Sequence, residues 1–77
     1  IPRDRESTGE IKTHNLTDRE ITIIKEIAKG LTNKEIGEEL YLSEGTIKNN
    51  ISTILSKLHL RDRTQIAIFA FKNNLMT

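Results

Sequence analysis

Residues 31–61 read LTNKEIGEELYLSEGTIKNNISTILSKLHLR. Two helix starts stand close together in this stretch. Thr32 and Glu35 have the spacing of a capping box, with Leu31 and Ile36 at the positions of a hydrophobic staple around it. Ile36 and Leu40 supply one apolar stripe, which predicts a short helix over roughly 33–40. Tyr41-Leu42-Ser43 then breaks the pattern. Ser43 is a second cap, Leu42 and Ile47 a second staple, and Ile47, Ile51, Ile54, Leu55 and Leu58 recur at helical spacing. The second helix is expected over roughly 44–58. A short helix, a three-residue turn and a longer helix have the spacing of a helix-turn-helix.

The same grammar extends in both directions. Upstream, Thr17 and Glu20 form a box, Leu16 and Ile21 a staple, and Ile21, Ile24, Ile27 and Ala28 a stripe that stops at Gly30. This predicts a helix over roughly 18–29. Downstream, Asp62 is a cap with Gln65 at the third helical position, opening a helix over roughly 63–73. Isoleucine is frequent, but it recurs at helical rather than alternating spacing, so no strand is expected. The fold class is all-α, a four-helix helix-turn-helix domain over residues 15–77. Residues 1–14, IPRDRESTGEIKTH, have no apolar period and read as an interdomain linker or disordered tail. A chain that starts at Ile1 without Met is expected to be part of something longer.

Composition narrows the chemistry. At 77 residues there is room for one small core. There is no cysteine, which removes disulfides and thiolate metal sites and fits a cytoplasmic chain. No apolar run approaches the ~18 residues of a membrane span, and no signal peptide is evident. His14 and His59 are far apart and have no ligand spacing, so no metal is expected. There is no glycine-rich phosphate loop and no constellation that marks an enzyme, and no cofactor is implied. Asn15-Leu16-Thr17 and Asn50-Ile51-Ser52 match the glycosylation pattern, but a cap and a helix face explain them better.

Charge distribution is more informative than charge total. Twelve basic and eleven acidic residues give a net charge of +1. Asp18, Glu20, Glu26, Glu35, Glu38, Glu39 and Glu44 crowd the first half, yet no carboxylate occurs from Gly45 to Arg61. At ~100° per residue, the side of the third helix opposite its isoleucines carries Asn49, Ser52, Thr53 and Ser56, with Lys48 and Lys57 on its two edges. Such a face is often no more than a solvated surface. It also suits the major groove of double-stranded DNA, where phosphates on both walls would repel a carboxylate. Asn pairs with adenine, Lys reaches guanine, and Ser and Thr reach several bases. Flanking lysines add salt-dependent affinity for phosphates, and the helix starts at Thr32 and Ser43 offer free N–H groups.

These residues resemble the LuxR/NarL/FixJ-type DNA-binding domain found at the C-terminus of many bacterial response regulators. The likeness runs from Leu16 to Phe71 through LTDRE, NKEI, LSEGTIKN and KL…RDRTQ, in that order. It implies a four-helix domain whose second and third helices read DNA and whose fourth forms a dimer. Lys48, Asn49 and Ser52 would read bases. Thr32, Asn33, Lys34, Ser43 and Thr46 would contact phosphates; beside this carry-over, Asn50 and the flanking Lys57 are expected to contact phosphates on their own chemistry. Thr64, Ala67, Ile68 and Phe71 would make the homodimer interface. Implied partners are a pseudo-palindromic duplex, an N-terminal receiver domain whose phosphorylation controls binding in a two-component system, and RNA polymerase. Asn50, Gly37 and His59 depart from the pattern, where His, Ala and a small or turn-favouring residue are common.

The fourth helix is more apolar than one buried face requires. Ile66, Phe69 and Ala70 fall on one side, Thr64, Ile68, Phe71 and Leu75 roughly on the other, with Ala67 between. A second copy is the commonest cover for such a surplus. Two other readings share these features: a helical protein-interaction module, and a sigma-factor-like helix-turn-helix.

Overall fold

The structure, a computed structural model, describes residues 15–76. The predicted tail over 1–14 lies outside the described residues. Four helices follow in order: α1 Asp18–Ala28, α2 Asn33–Leu40, α3 Glu44–Leu58 and α4 Arg63–Lys72. No strand occurs among the described residues. Each boundary lies within one residue of the sequence expectation. α1 packs mainly on α4, and α2 mainly on α3.

The caps form as the spacing requires. Thr17 and Thr32 each accept from the N–H of the glutamate three residues on, and each glutamate accepts in return from the threonine N–H. Ser43 accepts from Thr46 N–H at 3.1 Å, and Asp62 Oδ1 accepts from Gln65 N–H at 3.0 Å. Gln65 reaches back one residue beyond the cap, its Oε1 accepting from Arg61 N–H at 2.7 Å.

All four helices end the same way. A residue in the left-handed region follows each last turn: Gly30, Tyr41, His59 and Asn74, with φ of +95°, +59°, +56° and +58°. The next residue is a leucine whose N–H donates back five positions: Leu31 to Glu26, Leu42 to Gly37, Leu60 to Leu55 and Leu75 to Ala70. This is the Schellman closure, which turns the chain through a sharp corner and directs an apolar side chain back at the helix. Leu31 and Leu42 then serve as the staple residues of the following helix, so two packing duties fall on one residue and the connections cannot lengthen.

The core is built mainly of isoleucine. Ile23, Ile24, Ile27, Ile36, Ile47, Ile51, Ile54, Ile66, Ala70 and Leu75 are buried. Two expectations are corrected here. In α1 the buried stripe is Glu20, Ile23, Ile24 and Ile27, while Ile21 and Ala28 are only half-buried. The i, i+3, i+4, i+7 set centred on Ile23 faces α4, and Ile21 is turned toward the edge. Leu75 does not extend the second apolar face of α4. The helix has ended at Lys72, and the left-handed Asn74 sends Leu75 into the core.

The α2–α3 corner is tight. Gly37 is buried, its carbonyl accepts from Leu42 N–H at 2.8 Å, and a Cβ built on it would lie 2.5 Å from the Leu42 carbonyl oxygen. That is closer than nonbonded atoms approach, and the obstacle is backbone, which cannot rotate aside. The glycine costs ~1 kcal/mol of helix propensity relative to alanine. In exchange the corner closes directly on α2. Gly37→Val is expected to force the corner open and to destabilise the domain by about 1–3 kcal/mol. Thermal unfolding followed by circular dichroism measures this; an unchanged midpoint would show that the corner has slack.

Candidate nucleic-acid interface

α3 sorts its polar residues by edge. Lys48, Asn49 and Ser52 are exposed, and their side chains make no hydrogen bond or ion pair with any described residue. Thr53 is exposed and returns its hydroxyl to the Asn49 carbonyl at 3.1 Å. The opposite edge is occupied. Asn50 is half-buried, and its Nδ2 donates to the Thr46 carbonyl at 2.7 Å. Lys57 is half-buried beside the start of α1, where Nζ lies 2.8 Å from Glu20 Oε1 and donates to the Asn15 carbonyl at 3.2 Å. Positions 50 and 57 are two turns apart and share one half-buried edge of α3.

The two helix starts hold the remaining named groups. Thr32 and Ser43 are exposed but use their hydroxyls on their own helices. Ser43 also donates to Thr46 Oγ1 at 2.9 Å. Lys34 is exposed and unpaired among the described residues, while Asn33 is half-buried and accepts through Oδ1 from Arg63 Nη1. Backbone N–H groups of the first turn that no cap engages stay free, as at any helix start. The structure thus brings Lys34 and the first turn of α2 together with α3 in one two-helix unit. It ties Lys57 to the start of α1, while the Asn50 amide bonds within α3 itself.

On α4, Thr64 is exposed, Ile68 is 50% and Phe71 60% exposed, and Ala67 is half-buried against the core. Among the described residues no group of His, Cys, Asp or Glu is arranged to hold a metal, and no helix is long and apolar enough to cross a membrane. Sequence reasoning missed Arg63 and the partnership of Glu20 with Lys57. The pairs span 30 and 37 residues, and no periodic signal marks them.

A short helix closed by a tight corner onto a longer, outward-facing one, with a helix on either side, is the architecture of a helix-turn-helix protein. Residues 14–70 match the family described as bacterial regulatory proteins, luxR family, and the chain belongs to that family. It is 55% identical over 58 residues to the transcriptional regulatory protein LnrK of Bacillus subtilis, covering 75% of this chain and 26% of that protein. Over 62 residues it is 53% identical to the transcriptional regulatory protein LiaR of the same organism, covering 80% and 29%. The response regulator protein VraR of Staphylococcus aureus is 48% identical over 61 residues, covering 79% and 29%. The chain therefore spans less than a third of the length of these relatives.

Glu20 carries a prediction of its own. It is only 5% exposed. Burial pushes its carboxyl up, but the Lys57 ammonium and the Thr17 N–H outweigh that and hold it below its ordinary value. An unfolded glutamate titrates near ~4.3. The stability the pair contributes is therefore complete above that pH and drains away as pH falls through the lower folded value. Glu20→Gln keeps an oxygen for the capping box and removes only the charge. It is expected to cost about 1–3 kcal/mol at neutral pH and much less near pH 3. Denaturant titrations of both proteins at the two pH values test this; an equal deficit at both would exclude the ion pair as the cause.

Proposed function

We propose that the chain is the sequence-specific DNA-binding output domain of a two-component response regulator that controls transcription. α3 lies in the major groove with Lys48, Asn49 and Ser52 on base edges. Thr32, Asn33, Lys34, Ser43 and Thr46 hold phosphates at the two helix starts. The names of LnrK, LiaR and VraR, which describe transcriptional and response regulators, support the reading. The observation that carries it is the uncommitted face of α3, where Lys48, Asn49 and Ser52 stand exposed and unpaired among the described residues, on a helix with no carboxylate beyond Glu44. Lys57 is assigned to holding α3 against the start of α1, while Asn50 keeps its expected place beside a phosphate. A receiver domain occupies the longer protein ahead of this chain, and the protein works in the cytoplasm.

The domain acts as a homodimer through Thr64, Ala67, Ile68 and Phe71. Exposed aromatic and aliphatic groups on an otherwise satisfied helix leave apolar area that a second copy buries. A two-fold pair of α3 helices reads pseudo-palindromic half-sites about one helical turn, roughly 10 bp, apart.

Sequences selected from random duplex DNA at two salt concentrations supply the cognate site. On it, Lys48→Ala is expected to lose about 1–3 kcal/mol of discrimination between cognate and random DNA. Lys34→Ala weakens both alike and lowers the salt slope by about 1. An equal loss on both DNAs for Lys48→Ala would contradict base reading. Phe71→Asp is expected to weaken self-association about tenfold or more in sedimentation while circular dichroism stays the same. Undiminished self-association would take α4 out of the interface.

A further inference from the structure

Arg63 opens α4, and its side chain crosses to the start of α2. Nη1 donates to Asn33 Oδ1 and Nη2 to the Leu31 carbonyl. Leu31 and Asn33 flank Thr32, the N-cap of α2. The planar fork of the guanidinium thus grips the chain on both sides of the cap.

The chemistry of the grip decides which way the Asn33 amide faces. An asparagine side chain has one accepting oxygen and one NH2 that donates twice, while arginine only donates. Arg63 can therefore be met only by Oδ1, and the NH2 is left on the other side. No described residue accepts from it. DNA phosphate oxygens only accept. An unrestrained amide presents its oxygen to a phosphate part of the time and is then repelled. With Oδ1 held, only the donating end is presented.

We propose that Arg63 is a positioning residue for duplex DNA: from α4 it fixes the Asn33 amide with Nδ2 outward, ready to donate to a backbone phosphate. The proposal rests on the reading of α2 and α3 as the DNA-binding unit. It makes α4, which also offers the exposed Ile68 and Phe71, part of the apparatus that grips the backbone. Arg63 belongs to neither the base-reading nor the phosphate-contacting set.

The test is a double-mutant cycle on the 77-residue chain, with Arg63→Met, Asn33→Ala and the double variant. The probe is a fluorescent 30-bp duplex of random sequence at low salt, since a phosphate contact is independent of sequence. Arg63→Met is expected to weaken binding about fivefold when Asn33 is present, and less than about twofold in the Asn33→Ala background. Equal factors in the two backgrounds would overturn the proposal, leaving Arg63 as a tether or a general cation. Arg63→Lys retains the charge but not the fork, and should show the same dependence on Asn33 if the methionine variant unfolds. Absence of any duplex binding by the unaltered chain would remove the DNA reading and this proposal together. Binding with an additive cycle would remove the proposal alone.

Discussion

The geometry of the domain depends on the closure of the α2–α3 corner. Gly37 gives the Leu42 carbonyl room at a distance no Cβ permits, and its own carbonyl takes the Leu42 N–H. Tyr41, a residue 94% exposed, supplies the left-handed step at +59°. For an L-residue that conformation costs ~1–2 kcal/mol. The cost is met because the step brings Leu42 over the end of α2 and aims it at Ile47 across the Ser43 cap. A corner with this little freedom gives α3 one direction relative to α2. That is the condition under which exposed side chains on α3 have fixed places in space.

Placement then determines which cations are available to a partner. A basic residue near a carboxylate is neutralised within a few ångströms, so the field around a nearly neutral chain depends on pairing. Lys57 is matched by Glu20 inside the α1–α3 junction, and Lys29 lies 3.5 Å from Glu26 on the surface of α1. Lys34 and Lys48 have no partner among the described residues. The α2–α3 unit is not positive as a whole, since Lys34, Lys48 and Lys57 stand against Glu35, Glu38, Glu39 and Glu44; its positive field is local to Lys34 and Lys48. Glu38 and Glu39 stay exposed on α2, past the first turn that carries Lys34.

What the sequence revealed and what it concealed divide by distance along the chain. Caps and staples are relations between residues three to five apart, and the helix starts could be read from them; the left-handed exits at Tyr41, His59 and Asn74 carry no glycine and gave no such signal. The apolar stripe of α3 and its outward Asn49, Ser52, Thr53 and Ser56 followed from one period, whereas the choice of Lys48, Asn49 and Ser52 came from the family resemblance. The misplacements came where a second element decides. Ile21 and Ile23 both fit a helical stripe, and only the position of α4 selects Ile23. Leu75 fits the outer face of an unbroken helix, and only the left-handed Asn74 turns it inward. Lys48 and Lys57 are equivalent on a helical wheel. The start of α1 distinguishes them by bringing Glu20 to one edge of α3. Arg63 and Asn33 meet because one long side chain reaches from α4 to α2, two helices whose backbones do not pack on each other.

An isoleucine core has a consequence for recognition. Among the described residues, eight of the ten buried apolar side chains are Ile23, Ile24, Ile27, Ile36, Ile47, Ile51, Ile54 and Ile66. β-Branched side chains hold essentially one χ1 rotamer in a helix, so they lose helix propensity but leave little freedom in the packed state. Each helix recovers stability at its ends, through caps worth ~1 kcal/mol apiece. Stability held at the ends and stiffness held in the middle make a platform that loses little conformational entropy when it docks. Preorganisation of that kind lowers the ordering cost of docking, so less of the interaction energy is lost on binding.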